Sequence, residues 1–189
     1  MLHDAAKDRE QAARERLYAL VDRELLADQL AVAETDPLTK ARTRAAGLGD
    51  LDRELDRCRR NDGSLVVVYI DIVGLKTLND RDGHGAGDAL LTHVVGLIRA
   101  HLRSYDLIVR LGGDEFLCVM SEMTRLEAHE RFDAISAELA AATEPSAISS
   151  GFAALRAGDS AEQLIARADG ELIESRRANP DSRQFEARS

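Results

Sequence analysis

Arg110-Leu111-Gly112-Gly113-Asp114-Glu115-Phe116 places two adjacent carboxylates directly after two glycines, between the apolar runs Leu107-Ile108-Val109 and Phe116-Leu117-Cys118-Val119-Met120. Both runs are rich in residues that suit strands, so the glycines are predicted to form the tip of a β-hairpin. Gly112 and Gly113 accept positive φ and, lacking a Cβ, admit a ligand close to the backbone. Alone, such a turn is equally an ordinary solvated hairpin. Its surroundings decide between the two.

Working outward, the pattern predicts a helix over residues 47–60 and a strand over 65–71, then a short acidic, glycine-rich connection to a helix over 86–103. After the hairpin come a helix over 124–142, a strand over 147–154 and a helix over 159–177. The order is βαββαβ, an α+β fold of the ferredoxin-like or palm kind, with an antiparallel sheet flanked by helices and one face partly open. In that arrangement the end of the first strand and the hairpin turn lie side by side, which brings Asp71 towards Asp114. Leu65 to Ile70 is nearly continuous apolar sequence ending in Asp71, and a carboxylate at the end of a buried strand is costly unless paired or ligated.

Residues 1–34 form a separate unit, dense in Ala, Glu, Arg, Leu and Gln from residue 3 onward with no Gly or Pro, the composition of a long exposed helix. Leu17, Val21 and Leu25, followed by Leu26 and Leu30, suit a coiled-coil seam imperfectly. Such a helix either dimerises and relays signals or lies on its own domain. Asp36-Pro37-Leu38-Thr39 breaks it, with Asp36 as a cap and Pro37 at a first helical position. The main domain then covers 35–178, and residues 179–189 form a charged tail expected to be disordered.

The chain has 189 residues, 44% apolar and 31% charged, enough for one domain with an appendage. A net charge of −9, with three Tyr, four Phe and no Trp, argues against nucleic acid as a partner, since phosphate neutralisation and base stacking both lack their groups. No apolar run approaches the roughly 20 residues of a membrane span, and the start is not a signal peptide, so a cytoplasmic location is expected. Cys58 and Cys118 fit no metal-ligand spacing and read as reduced thiols.

Gly112-Gly113-Asp114-Glu115-Phe116 resembles the signature of the GGDEF family, the diguanylate cyclases. Asp71 to Asp88, DIVGLKTLNDRDGHGAGD, resembles the family's D-x-D-x-F-K-x-x-N-D-x-x-G-H-x-x-G-D. The resemblance implies a magnesium or manganese ion held by Asp71, the Ile72 carbonyl and Asp114. It further implies that Asp114 accepts the proton of the attacking hydroxyl and that Lys76 stabilises phosphate charge. Asn79, His84 and Asp88 would hold guanine, since a carboxylate accepts both N1–H and N2–H while an amide bonds O6 or N3. Gly112 and Gly113 would lie along the substrate, and Arg176 would reach a phosphate. Glu115 is open between metal support and a structural hydrogen bond. Arg103-Ser104-Tyr105-Asp106 resembles the family's R-x-x-D product-inhibition site.

By the same resemblance the activity is condensation of two GTP into cyclic di-GMP with release of pyrophosphate, carried out by a homodimer. The alternative is a GGDEF-like receptor of GTP or cyclic di-GMP that signals to a partner. Departures from the family pattern bear on this choice. Val73 stands for a second aspartate and Leu75 for phenylalanine. Lys40-Ala41 and Thr43-Arg44 replace Gly-Leu and Asn-Arg. In the last helix Glu171, Ile173 and Arg176 replace alanine, tyrosine and lysine, and Asn179-Pro180-Asp181 replaces Gly-Arg-Asn. Weaker triphosphate affinity is the expected result.

Overall fold

The computed structural model describes residues 34–142 and 146–178, together with Tyr18. The helix expected over 1–34 and the tail after Asn179 lie outside the described residues, apart from Tyr18 and Glu34. The elements run β1 (Arg42–Thr43), α1 (Arg44–Asn61), β2 (Leu65–Val73), α2 (Leu75–Asp82), α3 (His84–His101), β3 (Leu107–Gly112), β4 (Glu115–Ser121), α4 (Arg125–Ala141), β5 (Ala147–Ala154) and α5 (Ala161–Ala178).

The sheet has five strands in the order β1-β3-β4-β2-β5. β2 pairs antiparallel with both β4 and β5, and β3 pairs antiparallel with β4. These four strands and their helices make the expected βαββαβ core. β1 is an addition that the pattern did not predict: two residues lie parallel to β3, Arg42 beside Val109 and Thr43 beside Arg110. Two residues are too short to show an alternation.

The central strand is buried on both faces, as its run Leu65-Val66-Val67-Val68 requires. On one face Val66, Val68, Ile70 and Ile72 meet Leu91, Val94, Val95 and Ile98 of α3 and Phe132 and Ile135 of α4. On the other, Leu65 and Val67 meet Leu51 and Leu55 of α1 and Leu164 and Ala168 of α5. The expectation of a partly open face is therefore corrected: α1 and α5 cover it, leaving a helix–sheet–helix sandwich.

Local chemistry sets several boundaries. Thr124 and Glu127 form a reciprocal capping box that starts α4. The expected connection between β2 and α3 contains a helix of its own, α2, which follows Gly74 in the left-handed region (φ 82). Only Leu75 of this helix is buried, so it carries no apolar stripe for a pattern to register. Asp36-Pro37-Leu38-Thr39 forms a turn and starts no helix: Asp36 Oδ1 accepts from the Thr39 N–H (2.8 Å) and the Thr39 hydroxyl (2.6 Å). Cys58 and Cys118 are free and buried, and burial pushes both thiols up.

Candidate active site at the end of the central strands

The hairpin turn is tighter than predicted. Gly112 pairs with Glu115, so Gly113 and Asp114 alone make the turn and Gly112 is the last residue of β3. Gly113 takes φ 52, a left-handed value that glycine adopts without a Cβ penalty. Arg110 holds this turn from below, donating from Nε (3.2 Å) and a terminal nitrogen (2.9 Å) to the Gly113 carbonyl. The same guanidinium bonds both oxygens of Asp36 at 3.1 Å. Burial works to raise the Asp36 carboxyl, but the Thr39 bonds and Arg110 together outweigh it and hold the acid low. Arg110 thus ties the Asp36 turn to the Gly-Gly-Asp-Glu turn. The sequence reading assigned it no role; an arginine two residues before the glycine pair was the one available signal.

Asp71 lies opposite Glu115 on β4 and opposite Ser149 on β5, and β2 continues two residues past it to Val73. Next to it, the Ile72 N–H donates to the Asp114 carbonyl (3.1 Å), a bond that locks the hairpin turn to the end of β2. Asp71 and Asp114 are thereby brought together as expected. Asp71 is ion-paired with Arg176, in the last turn of α5. Burial, followed by the nearby charges of Asp114 and Glu115, pushes the Asp71 carboxyl above the usual aspartate range even though Arg176 opposes the shift.

Glu115 shares its sheet face with its cross-strand partner Asp71 and with Tyr69, because side chains two apart on a strand project alike. Burial and then the Glu115 charge, with a hydrogen bond to that carboxylate, push the Tyr69 phenol up to about 12. The phenol therefore stays protonated beside the Glu115 carboxylate.

Among the described residues no three His, Cys, Asp or Glu side chains gather as a metal cluster. The expected ligand set needs fewer, since it joins two carboxylates to the backbone carbonyl of Ile72. That all-oxygen set suits a hard divalent cation. The charges of Asp114 and of Glu115 each act on Asp71, and a cation at Asp71 and Asp114 would offset that negative charge. The residues fit the ion.

A second group forms where α2 meets α3, directly after β2. Gly87 is buried and faces Asn79: a Cβ added there would overlap the Asn79 amide, so the missing side chain makes its seat. Asn79 Oδ1 is buried and has no hydrogen-bond partner among the described residues. Such an orphaned acceptor is costly unless something donates to it. His84 opens α3 and Asp88 lies one turn on, so the two share a helix face, and both are exposed. Lys76, in the first turn of α2, is exposed as well.

Arg103 and Asp106 are not part of this region. They precede β3, whereas the turn follows it, a separation of roughly 20 Å along a six-residue strand. The Asp106 side chain is buried; its Oδ2 accepts from the Arg103 backbone N–H (2.8 Å), and its Oδ1 has no partner among the described residues. Burial drives this carboxyl up against the lowering effect of Arg103 and Arg131. The Arg103 guanidinium turns away to the Tyr105 hydroxyl (2.8 Å) and borders an open pocket of about 530 Å³ shared with Met123 and Arg131.

A five-stranded sheet with helices on both faces, carrying acids at the end of its central strands, defines a palm-like α+β domain. The match extends to a particular family: residues 33–182 fit the model "Diguanylate cyclase, GGDEF domain", and the chain belongs to the GGDEF family. Diguanylate cyclase DgcP of Pseudomonas aeruginosa is 38% identical over 164 residues, covering 82% of this chain and 24% of that protein. Diguanylate cyclase TpbB of the same organism is 41% identical over 91 residues, covering 48% of this chain and 21% of its own length. The chain thus spans about a quarter or less of these relatives. Among solved structures, the coiled coil and GGDEF domain of DgcB from Caulobacter crescentus, in complex with c-di-GMP, superposes with a TM-score of 0.83. It has 25% identity and covers 90% of this chain and 95% of that one. Diguanylate cyclase SiaD from P. aeruginosa, in complex with its activator SiaC, gives 0.73 at 27% identity, over 94% of this chain and 71% of that one.

Proposed function

We propose that this chain is a diguanylate cyclase that condenses two GTP into cyclic di-GMP with release of pyrophosphate. The observation that carries the reading is the bond from Ile72 to the Asp114 carbonyl, which holds the end of β2 to the hairpin turn.

Asp88 accepts the guanine N1–H and N2–H, a donor pair that adenine lacks, and the Asn79 amide meets the base edge. His84, on the same face of α3 as Asp88, contacts the nucleotide. The triphosphate extends past Gly112 and Gly113, with Lys76 and Arg176 as countercharges to its oxygens. Asp71, the Ile72 carbonyl and Asp114 would hold a magnesium or manganese ion, which would supply Lewis-acid stabilisation at the α-phosphate and its leaving group. Asp114 takes the proton of the 3′-hydroxyl as that oxygen attacks the α-phosphorus of the other nucleotide. One domain presents one GTP, so two copies must face each other, and the segment 1–34 is their means of pairing.

The test is mass spectrometry of products after ligand-stripped protein is incubated with GTP and magnesium, with Asp114→Asn as control. The parent is expected to form cyclic di-GMP and the variant to lose it by about 10²-fold or more, the usual worth of a positioned base. GTP binding without product from the parent would refute the cyclase and leave a nucleotide receptor.

A further inference from the structure

The position of Arg176 carries a consequence that the substitution of one basic residue for another conceals. α5 is pressed onto β5 at Gly151, where a Cβ would overlap the Ala168 carbonyl oxygen and the Leu172 backbone nitrogen. These are backbone atoms and cannot move aside cheaply. Leu172 and Ala168 are buried there, so the helix is held at that height over the sheet. Gly151 pairs with Tyr69 and Ser149 pairs with Asp71, one step nearer the strand end. Arg176, one helical turn beyond Leu172, is thereby delivered to the Asp71 carboxylate and bonds it. Asp71 is 19% exposed and Arg176 35% exposed, so the pair is screened only in part.

We infer that Arg176 is a built-in competitor of the divalent cation: its guanidinium bonds the carboxylate of Asp71 that the cation would need. This inference rests on the cyclase reading of Asp71 as a metal ligand. The competition is direct, because the two cations need the same carboxylate oxygens and repel each other. Metal binding frees the guanidinium, and a nucleotide arriving with its metal offers it phosphate oxygens in exchange. Arg176 thus opposes metal alone and favours metal together with triphosphate, so that the site fills with both or with neither. A guanidinium stays charged at any physiological pH and bonds a carboxylate through a planar fork, which makes it a firmer occupant than an ammonium group.

The experiment measures Mn²⁺ affinity of the full chain without nucleotide, from the electron paramagnetic resonance of free Mn²⁺. Arg176→Gln is compared with Arg176→Lys, with Arg177→Gln as a control of equal charge, and with Asp71→Asn. Circular dichroism melts confirm that each variant is folded. Arg176→Gln is expected to bind Mn²⁺ about three- to tenfold more tightly than the parent, as loss of a half-screened charge-assisted pair implies. Arg176→Lys should fall between them, Arg177→Gln should match the parent, and Asp71→Asn should lose the site. If Arg176→Gln binds no more tightly than Arg177→Gln while binding still depends on Asp71, the competition is overturned and the metal site stands. If no variant shows binding that depends on Asp71, the metal reading falls and takes this inference with it.

Discussion

Asp106 and Asp36 sit in turns at opposite ends of β3, and their carboxyls respond to folding in opposite senses. Burial raises the Asp106 acid, so its folded-state pKa lies above the unfolded value near ~3.9. Its contribution to stability is present at low pH and is lost as pH rises through the raised value. Asp36 is held low, so what it contributes is present above the ordinary aspartate range and is lost as pH falls through the depressed value. Asp106→Asn keeps an acceptor for the Arg103 N–H and removes the buried charge. The melting temperature of Asp106→Asn relative to the parent is therefore expected to rise as pH is taken from about 4 to about 7. Melts across that range check it, and a difference that stays flat or falls would mean that Asp106 is not the group paying for its ionisation.

At the scale of the element, two of the glycines in α3 have opposite prospects. Gly96 has open space around it, so Gly96→Ala is expected to stabilise by about 0.5–1 kcal/mol through helix propensity. Gly87→Ala meets the Asn79 amide and is expected to destabilise by about 1–3 kcal/mol through overpacking. On the proposed role of Asn79 it also weakens GTP binding, whereas Gly96→Ala leaves binding unchanged. Urea unfolding and nucleotide titration of the two variants check both effects. The elements that the amino-acid pattern made readable are those with a long apolar stripe. β2 and β4 announced themselves as apolar runs. α2 escaped because a short helix with one buried residue resembles a polar loop, and β1 because two residues show no period. The spacings that join Asp71 to Asn79 and Asp88, and Arg103 to Asp106, were visible along the chain. Their surroundings were not: the Arg110 clamp on Asp36 and the Arg176–Asp71 pair each join residues distant in sequence, and only the packing of a turn and a helix against the sheet brings them into contact.

For the whole molecule, the chemistry proposed here needs two copies, and residues 1–34 are assigned to pairing them. Deleting 1–34 is expected to lower specific activity far more at low protein concentration than at high, because concentration substitutes for a lost association. Measuring product formation over a wide dilution series checks this, and an equal loss at every concentration would rule out a pairing role. Within one copy, β2 acquires its neighbours at very different times. Its partner β4 follows after α2, α3 and β3, but Ile72 meets Ile148 of β5 only after α4 has also been made. At the pace of synthesis, ~5–20 residues per second, the interval from Ile72 to Ile148 is roughly 4–15 s. Throughout it the growing chain carries a central strand with at least one bare edge and no Arg176 yet beside the aspartate at its end. Translation therefore leaves the partners of the Asp71 end of the sheet for last. A ribosome that stalls ahead of β5 leaves a polypeptide with an open strand edge and no Arg176 beside Asp71, a target for chaperones.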